Sequence, residues 1–128
     1  MEKRIEKEGP HIVAINSLST CNTYTVVRAL DLAKKVAPET FMITGGQHFT
    51  ALAEPRLRQY PAIDAIVRGE GEVTLVEVVE ALEKGGDFTD ILGLTYSHGA
   101  SVISNPDRPL LADLDSLPMP GYHLVEDN

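Results

Sequence analysis

The chain has 128 residues, with 19 acidic side chains against 11 Lys and Arg, a net charge of −8, and only 5% aromatic content without tryptophan. That charge argues against binding a phosphate backbone, and the shortage of aromatics argues against the stacking surfaces single-stranded nucleic acid requires, so no nucleic-acid partner is expected. Hydrophobic content of 43% is that of an ordinary globular chain, one domain or part of one. The single cysteine, Cys21, excludes an internal disulfide and an all-cysteine zinc or iron–sulfur site held by this chain alone. No apolar run is long enough for a membrane span and residues 1–9 are charged, so neither a span nor a signal peptide is expected, and a cytoplasmic location is the default.

Residues 1–10 read as a polar lead-in, a helical turn or disordered. The compact apolar run His11 to Ile15 predicts a strand buried on both faces, followed by a small polar loop from Asn16 to Asn22. Val26, Val27, Leu30, Ala33 and Val36 recur at helical spacing and stop before Pro38. Phe41 to Thr44 predicts a second strand, Ala51 to Gln59 a short helix, and Ile63 to Val67 a third strand. A helix over Val73 to Leu82 closes at Gly85-Gly86. Alternating strands and helices imply right-handed crossovers and a parallel sheet. The rhythm then changes: Ile91 to Ser97 and Ser101 to Ser104 flank His98-Gly99-Ala100, a hairpin signal. From Arg108 onward a proline-punctuated segment reads as an extended exit.

Two apolar runs end abruptly at glycine, one in Gly45-Gly46-Gln47-His48-Phe49-Thr50 and the other in Arg68-Gly69-Glu70-Gly71-Glu72. Such strand ends mark the carboxyl edge of an open α/β sheet, where these folds place ligands. Gly45 and Gly46 either let a ligand approach bare backbone or simply make a tight turn. Asn16, Ser17, Ser19 and Thr20 should share that edge and supply small hydrogen-bonding groups. Glu70 and Glu72 suit a helix start, where the macrodipole favours carboxylates, or could serve acid–base work or a divalent cation. His48 has no second ligand at metal-site spacing and reads as a hydrogen-bonding loop residue. Neither GxxxxGK[ST] nor GxGxxG occurs, so nucleotide-phosphate binding has little support.

The ordered set of motifs nevertheless resembles a known family. A strand ending in a small polar cluster precedes Gly-Gly-x-His-x-Thr and Arg-Gly-Glu-Gly-Glu. A Gly-Leu-x-Tyr hairpin and a Leu-Asp-x-Leu-Pro-x-Pro exit follow. Together these look like the cobalamin (B12)-binding domain found in front of radical S-adenosylmethionine enzymes, among them the anaerobic magnesium-protoporphyrin IX monomethyl ester cyclases and related methyltransferases. The resemblance runs from about His11 to Leu124. Of the family's signature, Asn16-Ser17-Leu18 matches Ser-x-Leu with Asn in first place, and Gly45-Gly46 matches Gly-Gly. It implies that Asn16, Ser17 and Leu18, with Thr20 beside them, line the cleft for the cofactor's nucleotide tail. Gly45 and Gly46 would let backbone approach that tail, and Gly69, Glu70 and Gly71 would form the adjacent loop.

The departure is at the start. The family's Asp-x-His-x-x-Gly element, whose His is the lower cobalt ligand, has no counterpart before His11. The exit segment likewise contains no Cys-x-x-x-Cys-x-x-Cys, so the 4Fe–4S cluster and S-adenosylmethionine would belong to a longer parent. The expectation is therefore an incomplete Rossmann- or flavodoxin-like α/β domain over 11–106, with about three parallel strands, flanking helices and a hairpin at 91–104. Residues 107–128 would lead toward a radical S-adenosylmethionine domain. Cobalamin is the expected cofactor, and no catalysis is expected of this chain alone. Two alternatives stand beside this: a structural module that has lost corrinoid binding and dimerises through an exposed sheet edge, or a small-molecule or divalent-metal domain using Glu70, Glu72 and His48.

Overall fold

The structure, a computed structural model, describes residues 2–121. Three parallel strands run in chain order: β1 (Ile12–Asn16), β2 (Phe41–Gly45) and β3 (Ala65–Val67). Their register sets Asn16 beside Gly45 and Gly45 beside Val67, so the three strands finish level at one edge. β4 (Leu94–His98) joins β3 antiparallel and β5 (Ser101–Ser104) closes the hairpin, giving one five-stranded sheet in the order β1-β2-β3-β4-β5. The α/β expectation holds, with the hairpin built onto the parallel strands as part of their sheet.

Alternation along each strand sorts the core into two halves. Met42 and Ile66 face four helices: α1 (Glu2–Glu8), α2 (Thr23–Val36), α3 (Gln47–Ala51) and α4 (Ala53–Gln59). These contribute Ile5, Val26, Leu30, Phe49 and Leu57. Ile43, Ala65, Val67 and Leu94 face the other way, against Val78 of α5 (Glu72–Glu83) and the loop residues Phe88 and Ile91. Ala14, on that second face of β1, stays exposed.

Several boundaries moved for identifiable reasons. The lead-in is helix α1, fixed because Ile5 buries itself in the first core half. The helix expected over Ala51–Gln59 starts four residues earlier and breaks at Leu52 (φ −131°, ψ 30°). Phe49, Ala53 and Leu57 form its buried stripe at i, i+4 and i+8, which the glycine-rich turn signal hid. The third strand begins at Ala65, after Ile63 donates back to the Tyr60 carbonyl in a turn. The fourth begins at Leu94, because Gly93 turns the chain at φ +74° and donates its N–H to the Pro106 carbonyl.

Arg68, one residue past β3, fastens the hairpin. Its guanidinium donates to the carbonyls of Leu94 and Asn105, to Thr95 Oγ1, to Ser104 Oγ at 2.8 Å, and to Asp107 Oδ1 at 2.9 Å. The segment after β5 is held to the domain as well. Asn105 Nδ2 donates to the carbonyls of Phe88 and Ile91, Arg108 reaches Thr74 and Glu77 of α5, and the Leu111 N–H donates to Glu70 Oε2 at 2.7 Å. The part of the expected exit that covers 122–128 lies outside the described residues, as does His123.

Replacing Arg68 by Leu leaves the Asn105 carbonyl without its donor and strips one charged donor each from the Leu94 carbonyl, Thr95 and Ser104, which keep one partner apiece; each such loss costs about 1–3 kcal/mol. Asp107 is exposed, and its pairing with Arg68 is worth about 0–1 kcal/mol. Urea unfolding of the two variants should therefore show a large midpoint drop for Arg68→Leu and almost none for Asp107→Asn.

Candidate functional site

The level strand ends open a pocket of about 540 Å³ on the second face of the sheet, between β1, β2 and the start of α5. Its floor is apolar, from Ala14, Ile43 and Val67, with Leu75 as a wall. Gly45 and Gly71 also line it, and a Cβ on either would stand 3.0 Å from the Val67 carbonyl oxygen or 3.3 Å from Val67 Cγ1 respectively. Asn16, Gly46, Gly69, Glu70 and Glu72 complete the rim. An apolar concavity of this size with a few polar groups at its edge is the usual form of a site for an organic ligand.

Six of the nine residues singled out in the sequence thus share one pocket: Asn16, Gly45, Gly46, Gly69, Glu70 and Gly71. The other three stand apart from its lining. Ser17 is fully buried and its Oγ donates to the Ser19 carbonyl at 3.0 Å. Leu18 is 75% exposed at the same sheet edge. Thr20 Oγ1 lies 3.2 Å from His48 Nδ1. The floor residues Ala14 and Ile43 went unremarked in the sequence, yet they sit two positions before Asn16 and Gly45 and so share their face.

Gly46 has a second task. Its backbone, at φ +96° and ψ 173°, occupies a region open essentially to glycine alone. A Cβ there would lie 2.0 Å from the Ser17 carbonyl oxygen and 2.5 Å from Asn16 Oδ1. The loop after β1 therefore rests directly on the backbone after β2. Gly69, at φ +70°, meets nothing within 4 Å.

His48 is buried beside this contact. Arg56 Nε donates to His48 Nε2 at 3.0 Å, which makes Nε2 the acceptor and leaves Nδ1–H to donate to Thr20. Burial and then the neighbouring Arg56 guanidinium hold the imidazole below its usual value of 6.5. His11 and His98 lie at the opposite end of the sheet, since β4 runs antiparallel to β3. Among the described residues no group of three or more His, Cys, Asp or Glu is placed to hold a metal ion. His48 is not in the pocket lined by Glu70 and Glu72, so the divalent-metal alternative has no geometry behind it.

The sequence profile of the B12 binding domain matches residues 1–79. An uncharacterized methyltransferase of Pyrococcus horikoshii, PH0819, is 41% identical over 125 residues, which cover 96% of this chain and 27% of that protein. The anaerobic magnesium-protoporphyrin IX monomethyl ester cyclase of Rubrivivax gelatinosus is 32% identical over 130 residues, covering 98% of this chain and 23% of the cyclase. The chain thus spans about a quarter of the length of these relatives. In fold it is similar to the radical S-adenosylmethionine methyltransferase TsrM from Kitasatospora setae, solved with cobalamin and a 4Fe–4S cluster bound. That likeness has a TM-score of 0.70 at 17% identity and covers 91% of this chain and 22% of TsrM.

Two outcomes follow from the geometry. Gly46→Ala should lower the melting temperature far more than Gly69→Ala, whose cost is only that of a left-handed conformation, about 1–2 kcal/mol. The second concerns pH. A histidine whose folded value lies below 6.5 contributes stability that is complete above 6.5 and is lost as pH falls through the folded value. Urea midpoints measured from pH 7.5 downward should therefore fall below pH 6.5, and His48→Asn should flatten that part of the profile.

Proposed function

The chain belongs to the B12 binding domain family, and from that premise we propose that its pocket takes the nucleotide tail of a corrinoid within a longer radical S-adenosylmethionine protein. The observation that carries the reading is the bare floor: Gly45 and Gly71 present no side chain where Ile43, Val67 and Leu75 provide apolar walls. A flat aromatic base fits such a surface. Asn16 at the rim can donate and accept one hydrogen bond each toward the tail's polar atoms. Leu18, exposed on the same edge, would cover the apolar part of the ring system above.

The residues fit the tail better than they fit a histidine ligand to cobalt. His48 has both ring nitrogens engaged by Thr20 and Arg56, and His11 and His98 are at the far end of the sheet. Among the described residues, binding would accordingly rest on the tail. When bound in the parent, a corrinoid supplies a carrier for a methyl group or a partner in radical chemistry. The chain's own part is to hold the tail dry and to orient the cofactor at the sheet edge. Cyclase- or methyltransferase-type chemistry on a neighbouring domain with a 4Fe–4S cluster and S-adenosylmethionine is the parent activity this reading implies.

The rival reading, a docking or dimerisation module, draws on β1, an edge strand of the sheet with Ala14 exposed. The two separate in one experiment. Hydroxocobalamin is added to the purified chain, free ligand is removed by desalting, and the visible spectrum is recorded beside a sedimentation run. Retained corrinoid absorbance with a monomeric mass is expected. A dimer that retains no corrinoid at high micromolar protein would replace the tail-binding reading with the rival.

A further inference from the structure

Three loops meet at the mouth of the pocket, and the middle one holds both of its neighbours. The segment after β2 contributes three ties. Gly46 lies against the Ser17 carbonyl and Asn16 Oδ1, in space that admits no Cβ. His48 Nδ1 stands 3.2 Å from Thr20 Oγ1, on the loop after β1. Thr50 Oγ1 accepts the Gly69 N–H at 3.1 Å, on the loop after β3. None of these contacts reaches the apolar floor. Each bears instead on a loop that carries rim residues: Asn16 on one side, Glu70 and Gly71 on the other.

The ties are supported from behind. The His48 imidazole is edge-on to Phe49, which is fully buried in the core beneath the sheet, with ring centroids 5.4 Å apart. Arg56 of α4 donates to its far nitrogen. The single turn of α3 is thereby anchored to the hydrophobic core on one side, and the buried His48 and half-buried Thr50, two residues apart, each meet a neighbouring loop. That spacing sends them to different neighbours. A pocket assembled from three separate loops holds a ligand well only when their relative positions are set before the ligand arrives.

We propose that His48 and Thr50 are positioning residues for the tail pocket, His48 setting the Asn16–Thr20 loop and Thr50 setting the Gly69–Gly71 loop, so that the mouth is preformed. The inference rests on the tail-pocket reading for its consequence in affinity, but the positioning itself is observable without ligand.

The test uses the whole chain and four variants. Thr50→Val removes the acceptor for Gly69 and Thr50→Ser keeps it. His48→Gln removes the donor to Thr20, and His48→Asn keeps one in the place of Nδ1. Two measurements are made on each: amide resonances and hydrogen exchange at 16–20 and 69–71, and hydroxocobalamin affinity by visible titration. Thr50→Val should speed exchange at Glu70 and Gly71 and weaken the corrinoid about tenfold or more, with Thr50→Ser restoring both. His48→Gln should do the same at Ser17 to Thr20, with partial recovery in His48→Asn. Melting temperatures identify any variant that simply fails to fold, and the Thr50 pair, partly exposed, carries the test if the buried His48 changes do so. Loop resonances and exchange unchanged in Thr50→Val overturn the positioning, whatever the corrinoid does. Loosened loops in a protein that binds no corrinoid even as wild type leave the positioning standing and overturn the tail-pocket reading instead.

Discussion

The contact on which the rest of the site depends is the one between Gly46 and the Ser17 carbonyl. It brings the loop after β1 against the backbone after β2 at a distance no other residue permits. It follows from the parallel register, which ends both strands at the same level and so forces their outgoing chains together. Everything above the sheet edge is arranged around it. Ser17 buries its hydroxyl inward, Asn16 is left at the rim, and α3 starts at once. Glycine at this position serves the protein's own packing first. Gly45, one residue earlier, is the member of the pair that leaves the pocket floor open.

A division of labour runs through the whole edge. Groups with the strongest hydrogen-bonding capacity are spent on protein partners: Ser17 on Ser19, His48 on Thr20 and Arg56, Glu70 on Leu111, and Arg68 on the hairpin. What remains facing the cavity is mostly hydrocarbon and glycine backbone. Shape and dryness then decide what binds, with few polar contacts to fix orientation. Such a site suits a flat, largely apolar group attached to something bulkier outside.

Much of this was legible in the sequence because local and tertiary signals agreed. Val26, Val27, Leu30 and Ala33 announced α2 by period, and Phe41 to Thr44 announced β2 by its apolar run stopping at glycine. The family pattern placed the same three loops at one edge. Period and turn chemistry could not show which face a side chain takes once the strand ends. Ser17, Leu18 and Thr20 were grouped by polarity and motif, yet they point in three directions because the chain turns through each of them. Nor could glycine content distinguish Gly45 from Gly46: both line the pocket, but a Cβ would stand 3.0 Å from the Val67 carbonyl oxygen at the first and an impossible 2.0 Å from that of Ser17 at the second. The helix α3 hid in a stretch that looked like loop, because its stabilisation comes from burying Phe49 and not from helix-forming residues.

The fastening of residues 105–111 has a consequence for range of motion. Three side chains, Arg68, Glu70 and Arg108, tie that stretch to the pocket's own loop and to α5. Whatever polypeptide continues beyond it therefore pivots from a point beside the cavity mouth and not from the distant hairpin. The seventeen residues from 112 to 128 can span at most about 60 Å when fully extended. A body joined to such a tether would explore a limited volume around the opening, with a local concentration there on the order of millimolar without any affinity of its own. Encounter between the two would then depend on the tether's geometry more than on the stickiness of either surface.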